Sequence, residues 1–221
     1  MAGPGTTAKG TSISMNQRVT QRARHAALPD ASGVEGNARL TGLLAVVLLI
    51  LLALEGATIP FIGSLLSAHV FIGVLLIPPV LYKVATTTWR FAKYYSGDPR
   101  YRRKGPPILV LRLLGPVVVV LTLIVIGSGV GLVLLPHAQR ALLLTIHQAS
   151  FVLWFGAMTI HVLGHLVETA KLAPLDWFAR TRRQVRGASL RQWAVASSIV
   201  LGVIGAFVIT PYASGWFNQT F

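Results

Sequence analysis

Histidine offers the most chemistry in this sequence. Four of its six histidines, His69, His147, His161 and His165, fall inside long apolar runs, where an ionisable group is costly to keep and marks a functional site by default. His69 stands about ten residues into the second apolar run, and His147 about seven into the fourth, counted from the same side. At about 1.5 Å per residue their depths agree within roughly 5 Å. Two neutral imidazoles at one depth on different helices suit the two axial positions of one b-type haem. The chain has no cysteine, which excludes disulfides, cysteine-ligated iron–sulfur clusters and covalent attachment of haem through C-x-x-C-H. Any redox cofactor must therefore be held by histidine.

The fourth run carries the fuller pattern. Helical steps from Arg140 place His147, Phe151, Trp154, Met158, His161 and His165 on one face, which is expected to point inward. Arg140 lies about 10 Å from His147 along the axis. That suits a haem propionate, and equally suits an arginine snorkelling to the headgroups. Phe151 and Trp154 can flank a porphyrin or simply pack a core. Gly73 is one turn from His69, and Gly127, Gly129 and Gly131 sit in the third run. They admit either a flat macrocycle or, through Gly127-x-x-x-Gly131, a packed helix.

His147 and His161 are fourteen residues apart, close to four turns and about 21 Å, a spacing that can ligate two stacked haems. On Ser67-Ala68-His69 with Gly73, and on His147 through His161, the chain resembles the transmembrane cytochrome b families, including the cytochrome b subunits of bacterial hydrogenases and formate dehydrogenases. The resemblance covers the second to fourth helices and implies a helical bundle holding haem b through histidine pairs. It departs at Lys83, fourteen residues after His69, where a second ligand is missing. Pro78-Pro79 is also expected to kink that helix. One haem is therefore expected rather than two, and His161 is left as an unpaired ligand, a proton-handling residue near a quinone, or a structural histidine.

Two other classes stay open. His161, His165 and Glu168 follow at i, i+4 and i+7 and can hold a transition metal such as zinc, as in a transporter or a metal-dependent membrane enzyme. A cofactor-free anchor or assembly factor would use its histidines only to hydrogen-bond between helices. Glu55, the one acidic residue within a span, can take up a proton, reach the headgroups or meet Arg140. Nucleotide-binding loops, a serine nucleophile with its base, and paired carboxylates are not apparent, so catalysis by side chains alone is not expected. Whether the chain is itself an enzyme stays open, and an electron-transfer subunit of an oxidoreductase fits better.

These residues need elements to hold them. The chain is 53% hydrophobic with 12% charged residues, and its apolar residues are concentrated in runs instead of alternating with charge, as a membrane protein requires. The runs at 40–58, 59–82, 108–135, 141–166 and 193–210 each suffice to cross about 30 Å of hydrocarbon. An all-α integral membrane protein follows: a bundle of five transmembrane helices over 39–212, a disordered basic tail over 1–38 and a short tail over 213–221. The net charge of +14 sits in the loops. The first tail carries Lys9, Arg18, Arg22, Arg24 and Arg39. The loop after the second helix carries Arg90, Lys93, Arg100, Arg102, Arg103 and Lys104, and the loop after the fourth carries Lys171, Arg180, Arg182, Arg183, Arg186 and Arg191. The other loops offer only Arg140, so the N-terminus is expected in the cytoplasm and the C-terminus outside.

With its charges flanking spans, the chain is expected to meet anionic lipid and not nucleic acid. Ser96-Gly97-Asp98-Pro99 reads as a turn, and Leu175-Asp176-Trp177-Phe178 as the start of an interfacial helix. Tyr212 and Trp216 read as interfacial anchors. The Ala-, Val-, Leu-, Gly- and Arg-rich composition suggests a bacterial plasma membrane. The expected protein is thus a multi-pass b-type cytochrome passing single electrons between a quinone pool or cytoplasmic donor and an extracytoplasmic redox partner. A separately encoded oxidoreductase subunit would be its companion.

Overall fold

The computed structural model describes residues 32–103, 109–172, 174, 178 and 187–214. Five long helices and one short one account for nearly all of them: α1 (Ser32–Thr58), α2 (Ile62–Tyr95), α3 (Pro99–Arg103), α4 (Leu109–Leu134), α5 (Arg140–Leu172) and α6 (Ala188–Ile209). No strand occurs among the described residues. Among the described residues, four stretches are long and apolar enough to cross a membrane: Gly33–Tyr95, Leu109–Leu134, Arg140–Val167 and Ala188–Ala213. Lys9, Arg18, Arg22, Arg24, Lys104, Arg180, Arg182, Arg183, Arg186, Trp216 and most of the expected interfacial helix lie outside the described residues.

The first stretch folds back on itself. A 3₁₀ turn at Ile59–Phe61, with Pro60 inside it, separates α1 from α2. Contacts across the pair then run in opposite senses. Asn37 donates to the Thr86 carbonyl at 3.4 Å, and Lys83 Nζ to the Thr41 carbonyl at 2.7 Å. Leu48 packs with Leu76 and Val80, and Thr58 meets His69 near the turn. An antiparallel hairpin is the only arrangement that satisfies all four. The helix begins at Ser32, ahead of its apolar run, because the polar extension finds its own partners: Arg39 pairs with Glu35 at 3.1 Å, and Asn37 reaches α2.

Neighbouring helices close a four-helix ring in the order α1, α2, α4, α5, with α5 returning to α1. The diagonal pairs α1–α4 and α2–α5 make at most sparse backbone contact among the described residues. Side chains from α2 and α5 therefore meet only across the middle of the ring. α6 packs outside it, chiefly on α2, through Ser198, Gly202 and Ala206 at four-residue spacing, all buried. A Cβ on Gly202 would collide with the Leu75 carbonyl oxygen. Pro79 lacks the N–H that would bond this carbonyl four residues back, so Gly202 of α6 packs on a carbonyl that α2 leaves without its helical hydrogen bond. The non-helical angles within α2 occur at Leu65 (φ −109°, ψ 17°) and not at Pro78-Pro79. Burial of Pro79 against its neighbours holds the helical course there.

Ser96–Pro99 forms the expected turn. Gly97 takes φ +88°, the left-handed region where a Cβ is penalised. Asp98 caps α3 through the Arg100 N–H at 3.0 Å, with Pro99 at the first helical position.

Candidate functional site

α2 and α5 point one imidazole each into the middle of the ring. The centres of the His69 and His147 rings are 6.3 Å apart, with their planes at 87°. A metal–imidazole bond is about 2.0 Å long and the ring centre lies roughly 1 Å further on, so two imidazoles on opposite sides of one ion have centres about 6 Å apart.

The protonation pattern of both rings follows from their partners. Thr58 Oγ1 donates to the Glu55 carbonyl at 2.6 Å, so toward His69 Nδ1, at 2.8 Å, it can only accept. Glu55 Oε1 lies 3.1 Å from the same nitrogen. His147 Nδ1 meets the Val125 carbonyl at 3.0 Å, an acceptor and nothing else. It also lies 3.2 Å from Ser128 Oγ, whose own proton goes to the Ile124 carbonyl at 2.7 Å. Both rings therefore carry their proton on Nδ1. Nε2 keeps its lone pair in each, with no hydrogen bond to it among the described residues. Metal-binding histidines are oriented this way, with the far N–H held by a carbonyl or carboxylate.

Two glycines shape this layer. A Cβ on Gly129 would stand 3.1 Å from His147 Cε1, and one on Gly73 would stand 3.2 Å from Glu55 Oε1. Gly73 thus makes room for the carboxyl group behind His69, while Gly129 makes room for the other ring. Gly127 has open space where a side chain would be, and Gly131 abuts Leu143 of α5.

The remaining sequence-predicted residues spread along α5. Arg140 opens the helix, seven residues before His147. Trp154 donates from Nε1 to Thr122 Oγ1 at 2.8 Å, which ties α5 to α4, and stacks with Phe151 at 6.3 Å and 30°. His161 and His165 have ring centres 4.8 Å apart. His161 Nδ1 is buried without a hydrogen-bond partner and lies within electrostatic reach of Lys83 and His165. Gly164 between them lies against Leu111 of α4. The Glu168 side chain lies outside what is described, and no group of three metal-ligating side chains forms among the described residues.

Sequence reasoning missed Thr58, Val125 and Ser128, and placed Glu55 elsewhere. The first three are ordinary residues by type, and among them Val125 acts through its backbone carbonyl, which carries no sequence signal. Glu55 had one: a lone acid at the depth of His69 on the neighbouring helix. Comparison with protein-family models, curated proteins and solved structures finds no match for this chain.

Proposed function

We propose that this chain is a multi-pass membrane cytochrome b whose one haem is held by His69 and His147. The observation that carries the reading is the pair of Nδ1-protonated imidazoles, brought from diagonal helices to a centre separation of 6.3 Å. The donor set fits: two neutral nitrogens, no thiolate, and a hydrogen-bond acceptor behind each ring. In this reading the first apolar stretch crosses twice, giving five crossings with the N-terminus in the cytoplasm, as the basic loops favour.

Haem b supplies reversible one-electron exchange, and filling both axial positions suits electron transfer over oxygen binding. The chain's own residues set the conditions. Thr58 and Glu55 fix the plane of His69 and draw on its N–H, raising the basicity of the opposite nitrogen. Val125 and Ser128 do the same for His147 without a carboxyl group. Arg140, about 10 Å along α5 from His147, supplies a cation for an acidic edge of the cofactor. The electrons would pass between a quinone pool or cytoplasmic donor and an extracytoplasmic partner, in the plasma membrane of a bacterium and beside a separately encoded oxidoreductase subunit.

Oxidised and dithionite-reduced absorption spectra of the purified full chain, with haem quantified per chain, test the proposal. A low-spin b-type spectrum at one haem per chain is the expected result. Colourless protein from haem-sufficient cells would overturn it. One bound zinc in that colourless sample would favour the metal reading, in which the close pair His161 and His165 supplies two ligands.

A further inference from the structure

Where α2 ends and α4 begins, Phe91, Tyr95, Leu109, Arg112, Leu113 and Pro116 line a groove of about 520 Å³. Its walls are apolar or aromatic, with one exception. The Arg112 guanidinium stands 5.1 Å from the centre of the Tyr95 ring and has no carboxylate or hydrogen-bond partner among the described residues. It lies one turn inside α4, an apolar helix, so little polar surface of its own element offsets its charge. The flanking segment adds Arg90, Lys93, Arg100 and Arg102. Its acid, Asp98, is already taken up by Arg100 at 3.1 Å. Leu113 remains 65% exposed, and with Pro116 one turn further along α4 it leaves an apolar track leading away from the cation.

We propose that this groove binds one anionic diacyl phospholipid, its phosphate on Arg112 and its acyl chains along Leu113 and Pro116. Charge selects the headgroup: an arginine without a counter-ion among the described residues, at the edge of a low-dielectric layer, favours an anion, and basic pockets between membrane helices hold acidic lipids. The apolar walls select acyl chains over a free phosphate, because only the chains cover Leu113 and Pro116. Tyr95 holds the guanidinium by a cation–π contact and so presets its position. The site does not depend on the haem reading.

Native mass spectrometry of the delipidated full chain, titrated separately with phosphatidylglycerol, phosphatidylcholine and glycerol phosphate, tests the site. One phosphatidylglycerol should be retained at least about fivefold over phosphatidylcholine, with glycerol phosphate not retained. Arg112→Gln should bring phosphatidylglycerol down to the phosphatidylcholine level, while Arg100→Gln, on an arginine already paired with Asp98, should leave it unchanged. Leu113→Trp, which fills the groove and keeps the charge, should also lower retention. Equal retention of the two lipids, retention of glycerol phosphate, or no change in both Arg112→Gln and Leu113→Trp would overturn the proposal.

Discussion

α2 and α5 meet at two levels fourteen residues apart, and the levels differ in what fills them. Near the α1–α2 turn, His69 faces His147, with each Nδ1 committed to an acceptor. At the other level Lys83 stands within electrostatic reach of His161, but its ammonium donates to the Thr41 carbonyl of α1, and His161 Nδ1 has no hydrogen-bond partner among the described residues. A repeated spacing on one helix therefore does not make a repeated site. What distinguishes the first level is the set of groups behind the rings, drawn from α1 and α4.

The largest effect is expected from removing either ring of the first level. In the proposed reading, His69→Ala and His147→Ala should each abolish bound haem while membrane insertion persists, because axial ligation and not hydropathy would hold the cofactor. Absorption spectra of the two variants against membrane-extracted protein yield read this directly, and a full haem spectrum in His147→Ala would end the assignment.

A smaller change should follow from the asymmetry within the level. Glu55→Gln keeps an acceptor toward His69 but removes the one group behind either ring that can ionise, so an oxidised, more positive state should lose stabilisation. The midpoint potential should rise by about 60 mV, equivalent to about tenfold in the one-electron equilibrium. Ser128→Ala, which removes only a hydroxyl from beside His147, should move it less. Equal shifts in a redox titration would show that the two ligands are not differently supported.

Smaller again is the contribution of the turn that leads out of the Lys83 end. Arg100 hydrogen bonds hold the Asp98 carboxyl below the usual carboxylate range. A folded-state value below the unfolded one stabilises at neutral pH, and that stabilisation is lost as pH falls through the folded value. Asp98→Asn should flatten this acid limb only slightly, since the paired Arg100 side chain is 51% exposed and solvent screens the ion pair. Thermal unfolding of both proteins across the acid range measures it.

Least of all should change on His161→Ala, which is expected to keep one haem per chain with an unaltered spectrum. A halved haem content would instead make the second level a ligand site and erase the contrast between the two.

Most of the helices were legible in sequence because membrane spans are encoded in composition. The expected runs and the observed helices agree in order and, within a few residues, at many of their ends. The disagreements have local causes. Ser32 to Arg39 is helical because Glu35 and Asn37 find partners, which hydropathy does not register. Pro78-Pro79 keeps helical angles in a helix whose Pro79 is fully buried. At the site, His69 and His147 were legible as ionisable groups at matching depth. Glu55 was legible by type but not by destination, since a carboxyl near a helix end has several neighbours within reach until the helices are docked.

By itself, the sequence determined that this chain forms long apolar helices, that cationic residues flank them, and that imidazoles are placed inside. These follow from residue type and spacing along one strand of chain. Only the tertiary structure decided that α2 and α5 lie diagonally, so that their rings meet where their backbones do not. It alone decided that Val125, Ser128, Thr58 and Glu55 stand behind those rings. Hydrogen-bond direction and ring separation depend on how helices are rotated and set against each other, and that rotation is fixed by contacts such as Gly202 on Leu75 and Trp154 on Thr122, between residues far apart in the chain.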